Sequence, residues 1–169
     1  VLMHPAGDHA LHATRAGEYE RGLTWTDRTL DVLGRTLGPD DGGAALIHAC
    51  RALCFAELDR PADAEASDAR AAALLASQPV PEDQRMECGR LLALARVRLG
   101  HMETARSAMD AAWQMAKVSF DGRDAAFRVE WAHSMLEYCR ATGETARAAD
   151  FARILDQEGI GDFAPTLSR

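Results

Sequence analysis

Apolar positions along this chain recur at helical spacing almost from end to end. Between about His101 and Lys117, the residues Ala105, Ala108, Met109, Ala112, Trp113 and Ala116 fall at offsets of 0, 3, 4, 7, 8 and 11. That spacing puts them in one stripe on one face of a helix. The preceding stretch, about Glu82 to Leu99, has its own apolar face from Met86, Leu91, Leu92, Ala95 and Leu99. Gly100 between the two suits a left-handed helix cap, so the pair predicts an antiparallel hairpin. No run of alternating β-branched and polar residues persists, which argues against strands.

The same hairpin can be read four times. Turn residues stand at Gly17, Asp59, Gly100 and Gly143, and five positions after each comes a small residue, Gly22, Ala64, Ala105 and Ala148. The turns are spaced by 42, 41 and 43 residues, the mark of a stack of similar helical units. The expected helices run from about Ala6 to Ala16 and Tyr19 to Leu37, then Gly43 to Leu58 and Pro61 to Ser77. Two more pairs follow, Glu82 to Leu99 with His101 to Lys117, and Arg123 to Thr142 with Glu144 to Glu158. Pro61 fits the first turn of a helix, where an amide hydrogen would have no partner. Connectors rich in helix breakers, such as Gln78-Pro79-Val80-Pro81, separate the hairpins. Residues 1–159 are thus expected to form one helical-repeat domain, and residues 160–169 an irregular tail.

Composition narrows the class of function. With 169 residues, 47% apolar but only 6% aromatic, the core is expected to come from close helix–helix approach through alanine and not from aromatic layers. A net charge of −7 repels polyphosphates at long range, so nucleic acid is not the expected ligand. No apolar run approaches the roughly 20 residues that span a bilayer, and the expected location is the cytoplasm.

Candidate chemistry is thin. His4, His9 and His12 cluster near the amino end, but apart from Asp8 no carboxylate lies at ligand spacing. Cys50 and Cys54 lie one helical turn apart, where small buried residues are also needed, and with Cys88 and Cys139 they read as packing thiols. Cys139 and His133 lie six apart on one expected helix and point away from each other, so no nucleophile and base converge. An enzyme is not expected, nor a metal or cofactor. Trp25, Trp113 and Trp131 lie in or beside apolar stripes and are expected in the core. Asp68 stands out, because the repeat register turns it inward; either an arginine pairs with it there, or its helix is rotated relative to this register.

The turn and small-residue pattern resembles the tetratricopeptide repeat family. Gly17-Glu18-Tyr19 keeps that family's glycine and aromatic, and Leu92-Ala93 with Gly100, Ala105 and Ala112 keeps most of the motif in the third unit. Asp59 and Pro61 replace the glycine and aromatic in the second unit, and Leu155 replaces a small residue in the fourth. The period exceeds the family's usual one of about 34 residues and is similar to divergent repeats in bacterial transcriptional regulators.

This resemblance implies an all-α, right-handed superhelical stack of about four antiparallel hairpins whose inner helices line a groove. Carried over, that geometry points Leu53, Glu57, Arg90, Leu94, Val97, Arg98, His133, Glu137 and Arg140 into the groove. Several arginines beside aliphatic positions would suit a protein or peptide bearing acidic residues. The same residues could instead form solvated faces with internal ion pairs. The expected function is an interaction scaffold in a regulatory or assembly system, with a small-molecule sensor or a self-assembling subunit as alternatives. An uncovered apolar end around Phe151, Ile154 and Leu155 would favour a homo-oligomer.

Overall fold

The computed structural model describes residues 5–38, 40–118 and 120–158, and the expected tail at 160–169 lies outside them. Among the described residues the regular structure is entirely helical. The elements are α1 (Pro5–Arg15), α2 (Tyr19–Thr36), α3 (Ala44–Glu57), α4 (Pro61–Ser77), α5 (Glu82–Arg98), α6 (Met102–Lys117), α7 (Ala125–Thr142) and α8 (Thr145–Gln157), with a 3-10 turn at Phe120–Gly122. Each expected helix is present, with ends within two residues of the positions that the apolar stripes and breakers indicate. The chain divides into two compact units, residues 1–116 and 117–169.

The four turn positions share one backbone solution. Gly17, Asp59, Gly100 and Gly143 have φ of 74°, 55°, 77° and 76°, the left-handed region that ends a helix. At each, the next residue's N–H reaches back five positions. Glu18 donates to Ala13 O at 2.9 Å, Arg60 to Phe55 O at 2.9 Å, His101 to Arg96 O at 2.8 Å and Glu144 to Cys139 O at 2.8 Å. The turn residue itself donates three positions back, completing the paired bonds of a Schellman cap. The small residue of each motif then donates to the residue after the turn, as Ala64 does to Arg60 O at 3.1 Å and Ala105 to His101 O at 3.0 Å. Turn, cap and small residue are therefore one unit, repeated four times.

The small residues are small because the next helix is in contact there. Ala64 and Ala105 are fully buried, and a Cβ added at Gly22 would sit 2.8 Å from Cys54 Sγ. Ala148, in the fourth hairpin, is only half-buried. The second small position behaves alike, with Ala71 and Ala112 at 0% exposure, and a Cβ at Gly89 would meet that of Ala112 at 2.9 Å.

In the first unit α3 is the central element, packed against α1, α2, α4 and α5. It is accordingly buried on nearly every side, with Ala45, Leu46, Ile47, Ala49, Cys50, Ala52, Leu53, Cys54 and Phe55 all in the core. Such a helix reads as apolar all round, as burial on all sides requires. In the second unit α7 packs on α8. Trp131, Met135, Tyr138, Phe151 and Leu155 are buried there, and Phe120, Phe127 and Trp131 form a ladder with ring centroids 6.3 and 6.2 Å apart. Of the three tryptophans only Trp131 is a core residue. Trp25 and Trp113 are half-buried, and the Trp25 ring lies 4.6 Å from the His9 ring and 5.0 Å from the Arg28 guanidinium.

Asp59 is the one turn residue that carries a Cβ into the left-handed region, at a cost of about 1 kcal/mol for an L residue. Asp59→Gly should therefore raise the unfolding free energy by about 0.5–1 kcal/mol, and Gly100→Ala should lower it by a similar amount. Urea denaturation checks both, and equal midpoints for the two variants would show that the turns do not set stability.

Candidate functional site

The residues expected in a groove fall into three groups. Leu53, Leu94 and Val97 are buried at 6–7% exposure, which corrects the expectation that they face a partner. Arg90 is corrected most strongly. It is 3% exposed, and its guanidinium grips the Glu87 carboxylate through two bonds, Nε donating to Oε2 at 3.0 Å and Nη2 to Oε1. Arg15 at the end of α1 reaches the same carboxylate at 3.1 Å. The reason is topological, since α5 is buried around almost its whole circumference and its charges must pair inside.

Glu57 and Arg98 are brought together, Arg98 Nε donating to Glu57 Oε1 at 2.7 Å, so they tie the end of α3 to the end of α5. His133, Glu137 and Arg140 lie on one face of α7 in the second unit, the first two half-buried and the third exposed. Burial lowers the His133 pKa from its ordinary value. Of the two alternatives for Asp68, the arginine pair is the one found. Arg96 holds it with two bonds of 2.9 and 2.7 Å, joining α4 to α5.

Charges also govern the core around Glu87. Burial alone would push its carboxyl pKa up, but the Arg90 guanidinium, with Arg15 behind it, outweighs that and holds it below the usual range. The negative charge so fixed lies near the thiols. Burial first, then the Glu87 charge, pushes Cys50 far up and Cys88 up to about 12. Burial also takes Cys54 to about 11, against a hydrogen-bonding contact with Thr14 Oγ1 at 3.4 Å. All four cysteines are buried and outside disulfides, and among the described residues no group of three His, Cys, Asp or Glu side chains could hold a metal ion. His4 lies outside the described residues, and His9 and His12 are exposed on α1.

A concave surface also lies on the face shared by α3 and α4. An open cleft of about 360 Å³ is lined by His48, Arg51 and Phe55 from α3 and by Asp63, Ala66, Ser67 and Arg70 from α4. The helical repeat builds it. His48, Arg51 and Phe55 follow at three- and four-residue steps on α3, and Asp63, Ser67 and Arg70 do so on α4, so both rows face one furrow.

The aromatic floor is held from two directions, the guanidinium of Arg60 lying 4.4 Å and that of Arg51 lying 5.1 Å from the Phe55 ring centre. Arg51 pairs with Asp27 of α2, and Arg70 with Asp40 of the connector. Both carboxylates are exposed, at 63% and 72% of their side-chain surface. Two fixed cations thus flank a furrow whose present counter-charges sit in water.

His48 completes the cleft. Its Nδ1 is buried and has no hydrogen-bond partner among the described residues. Burial, then the charges of Arg70 and Arg51, lowers its pKa to about 4. The cleft is not legible along the sequence, because neither row of residues forms a furrow by itself. The signal available was the alignment of the two polar rows, which only the crossing of α3 and α4 turns into a furrow. The apolar end expected around Phe151, Ile154 and Leu155 is largely covered, with Phe151 and Leu155 buried and Ile154 half-buried. No helix among the described residues is long and apolar enough to cross a membrane.

No family model, no curated protein and no solved structure matches this chain. The chemistry of the side chains is therefore the ground for a functional reading.

Two outcomes are expected of the buried groups. Arg90→Leu leaves the Glu87 carboxylate buried with half its support, and should lower the unfolding free energy by about 3–5 kcal/mol in urea titrations. A loss below about 1 kcal/mol would show that water reaches Glu87. None of the four thiols should react with an aromatic disulfide reagent at pH 8 within minutes, and all four should react in guanidinium chloride. A fast native thiol would contradict the packing.

Proposed function

We propose that this chain is a protein-interaction module, a right-handed tetratricopeptide-like stack of hairpins that grips an acidic segment of another protein in the α3–α4 cleft. The repeated Schellman turns and close small-residue crossings support the stack. The observation that carries the binding site is the setting of Arg51 and Arg70. Both line one open furrow, and each holds an exposed aspartate that an incoming carboxylate can replace at little desolvation cost. An arginine presents a planar fork that matches a carboxylate, so exchange conserves the number of charge-assisted bonds.

The net charge of −7 sets a modest long-range repulsion against an acidic partner. Physiological salt screens it beyond about 8 Å, which leaves recognition to the short-range forks. An open furrow suits an extended peptide better than an enclosed small molecule. Partner contact by this module involves neither nucleic acid nor membrane.

Fluorescence anisotropy with fluorescein-labelled hexaglutamate tests the reading. Arg51→Gln with Arg70→Gln removes two solvent-exposed contacts of about 0.2–1 kcal/mol each and should weaken binding about three- to tenfold. The control Arg35→Gln with Arg153→Gln changes net charge equally at arginines that are 72% and 65% exposed, and should leave affinity within about twofold. Equal affinity for the two double variants would sink the cleft as the docking site.

A further inference from the structure

We infer that His48 is the third anchor of the bound carboxylate, donating a hydrogen bond from Nε2–H as a neutral imidazole whose tautomer is fixed by the burial of Nδ1. The inference rests on the proposed acidic-segment reading and names the residue that completes that site. His48 lines the cleft, and with Nδ1 buried and unpartnered the polar atom the ring offers to a ligand is Nε2.

The tautomer follows from the cost of stranding a donor. A proton on Nδ1 would be a buried N–H with no acceptor, whereas a bare nitrogen lone pair there forfeits less. The proton is thus held on Nε2, at the cleft. An imidazolium would need protons on both nitrogens and would strand one at Nδ1. It would also face the positive charges of Arg51 on its own helix and Arg70 on α4. The acidic groups around it do not reverse this, because Asp63 of α4 is paired with Arg60, Asp27 of α2 with Arg51, and Asp40 with Arg70. The lowering of the His48 pKa to about 4 has these same causes, burial first.

The resulting site combines two cations with one neutral donor. A carboxylate has two oxygens and about four acceptor directions, enough to take an arginine fork and an imidazole N–H together. Because His48 does not charge above pH 5, it adds direction to binding without adding pH sensitivity over the range in which glutamate is ionised. A histidine of ordinary pKa in this position would instead strengthen anion binding as pH falls through 6.5.

The experiment pairs two substitutions with one spectroscopic readout, using the whole chain and fluorescein-labelled hexaglutamate. His48→Phe keeps a ring but removes the donor, and should weaken binding about five- to tenfold. His48→Gln can place an amide N–H near the position of Nε2, and should stay within about twofold of the unsubstituted chain. Ring nitrogen shifts in 15N-labelled protein should report the Nε2–H tautomer from pH 5.5 to 8, with Nε2 shifting on addition of the peptide and affinity flat across that range.

Binding that is equal in His48→Phe and the unsubstituted chain overturns the role of His48 while the acidic-segment reading stands. An Nδ1–H tautomer, or affinity that climbs as pH falls through 6.5, overturns it too. Absence of peptide binding by the unsubstituted chain overturns both. If His48→Phe loses its helical circular dichroism, the His48→Gln affinity and the nitrogen shifts decide the matter alone.

Discussion

Helices in this protein approach so closely that a single added methyl is resisted, and most other features follow from that constraint. A Cβ at Gly22 would lie 2.8 Å from Cys54 Sγ, and one at Gly89 would lie 2.9 Å from the Ala112 Cβ. The connectors are equally tight, since a Cβ at Gly42 would come 2.9 Å from Pro79 O. Close approach yields many weak dispersion contacts without large side chains, which is how a chain with 6% aromatic residues builds a dense interior. It also fixes register, because a helix displaced by one residue would bring a larger side chain to a contact built for alanine or glycine. The Schellman turn belongs to the same constraint, setting the angle at which the second helix of each hairpin returns to the first.

Dense packing around α3 decides how charge is used. Four ion pairs in the first unit join helices of different hairpins: Arg51 with Asp27, Arg96 with Asp68, Arg98 with Glu57, and Arg15 with Glu87. In the second unit Arg128 and Glu158 join α7 to the end of α8. Arginine suits these places because its fork can bond a carboxylate twice while its stem lies along apolar surface. What separates a staple from a candidate binding group is the water around the partner. Arg96 and Asp68 each keep 17% of their side-chain surface, and their exchange for another anion would expose buried charge. Asp27 and Asp40 stand mostly in water. The same chemistry is therefore enclosed in one place and faces solvent in another.

Much of the backbone was legible beforehand, and particular residues show why. Gly100 preceded by the stripe of α5 and followed by that of α6 specifies a hairpin locally, through a positive φ and a 3.6-residue period. Asp59, with no glycine, was readable only from its place in the repeat, and it adopts the same turn at a φ of 55°. The candidate sites were less legible. Arg90 looked like a surface arginine because periodicity says which residues share a face and not which face is covered. Glu87, at i−3, was the clue that its charge could be satisfied inside. His48 had no distinguishing pattern at all, since its role depends on which of its two nitrogens is buried.

The sequence by itself determined the helices, their ends and the fourfold repeat of turns, because these rest on forces acting within about one helical turn: apolar period, capping bonds and the backbone freedom of glycine. The tertiary structure decided which charges are buried, which face of α3 and α4 forms a furrow, and which carboxylates stand in water. Those depend on side chains from segments tens of residues apart, such as Asp27 and Arg51 or Asp40 and Arg70, meeting in space. Burial is a property of the whole packed unit, and it converts equal residue types into a core ion pair at Arg90 and an accessible cation at Arg51.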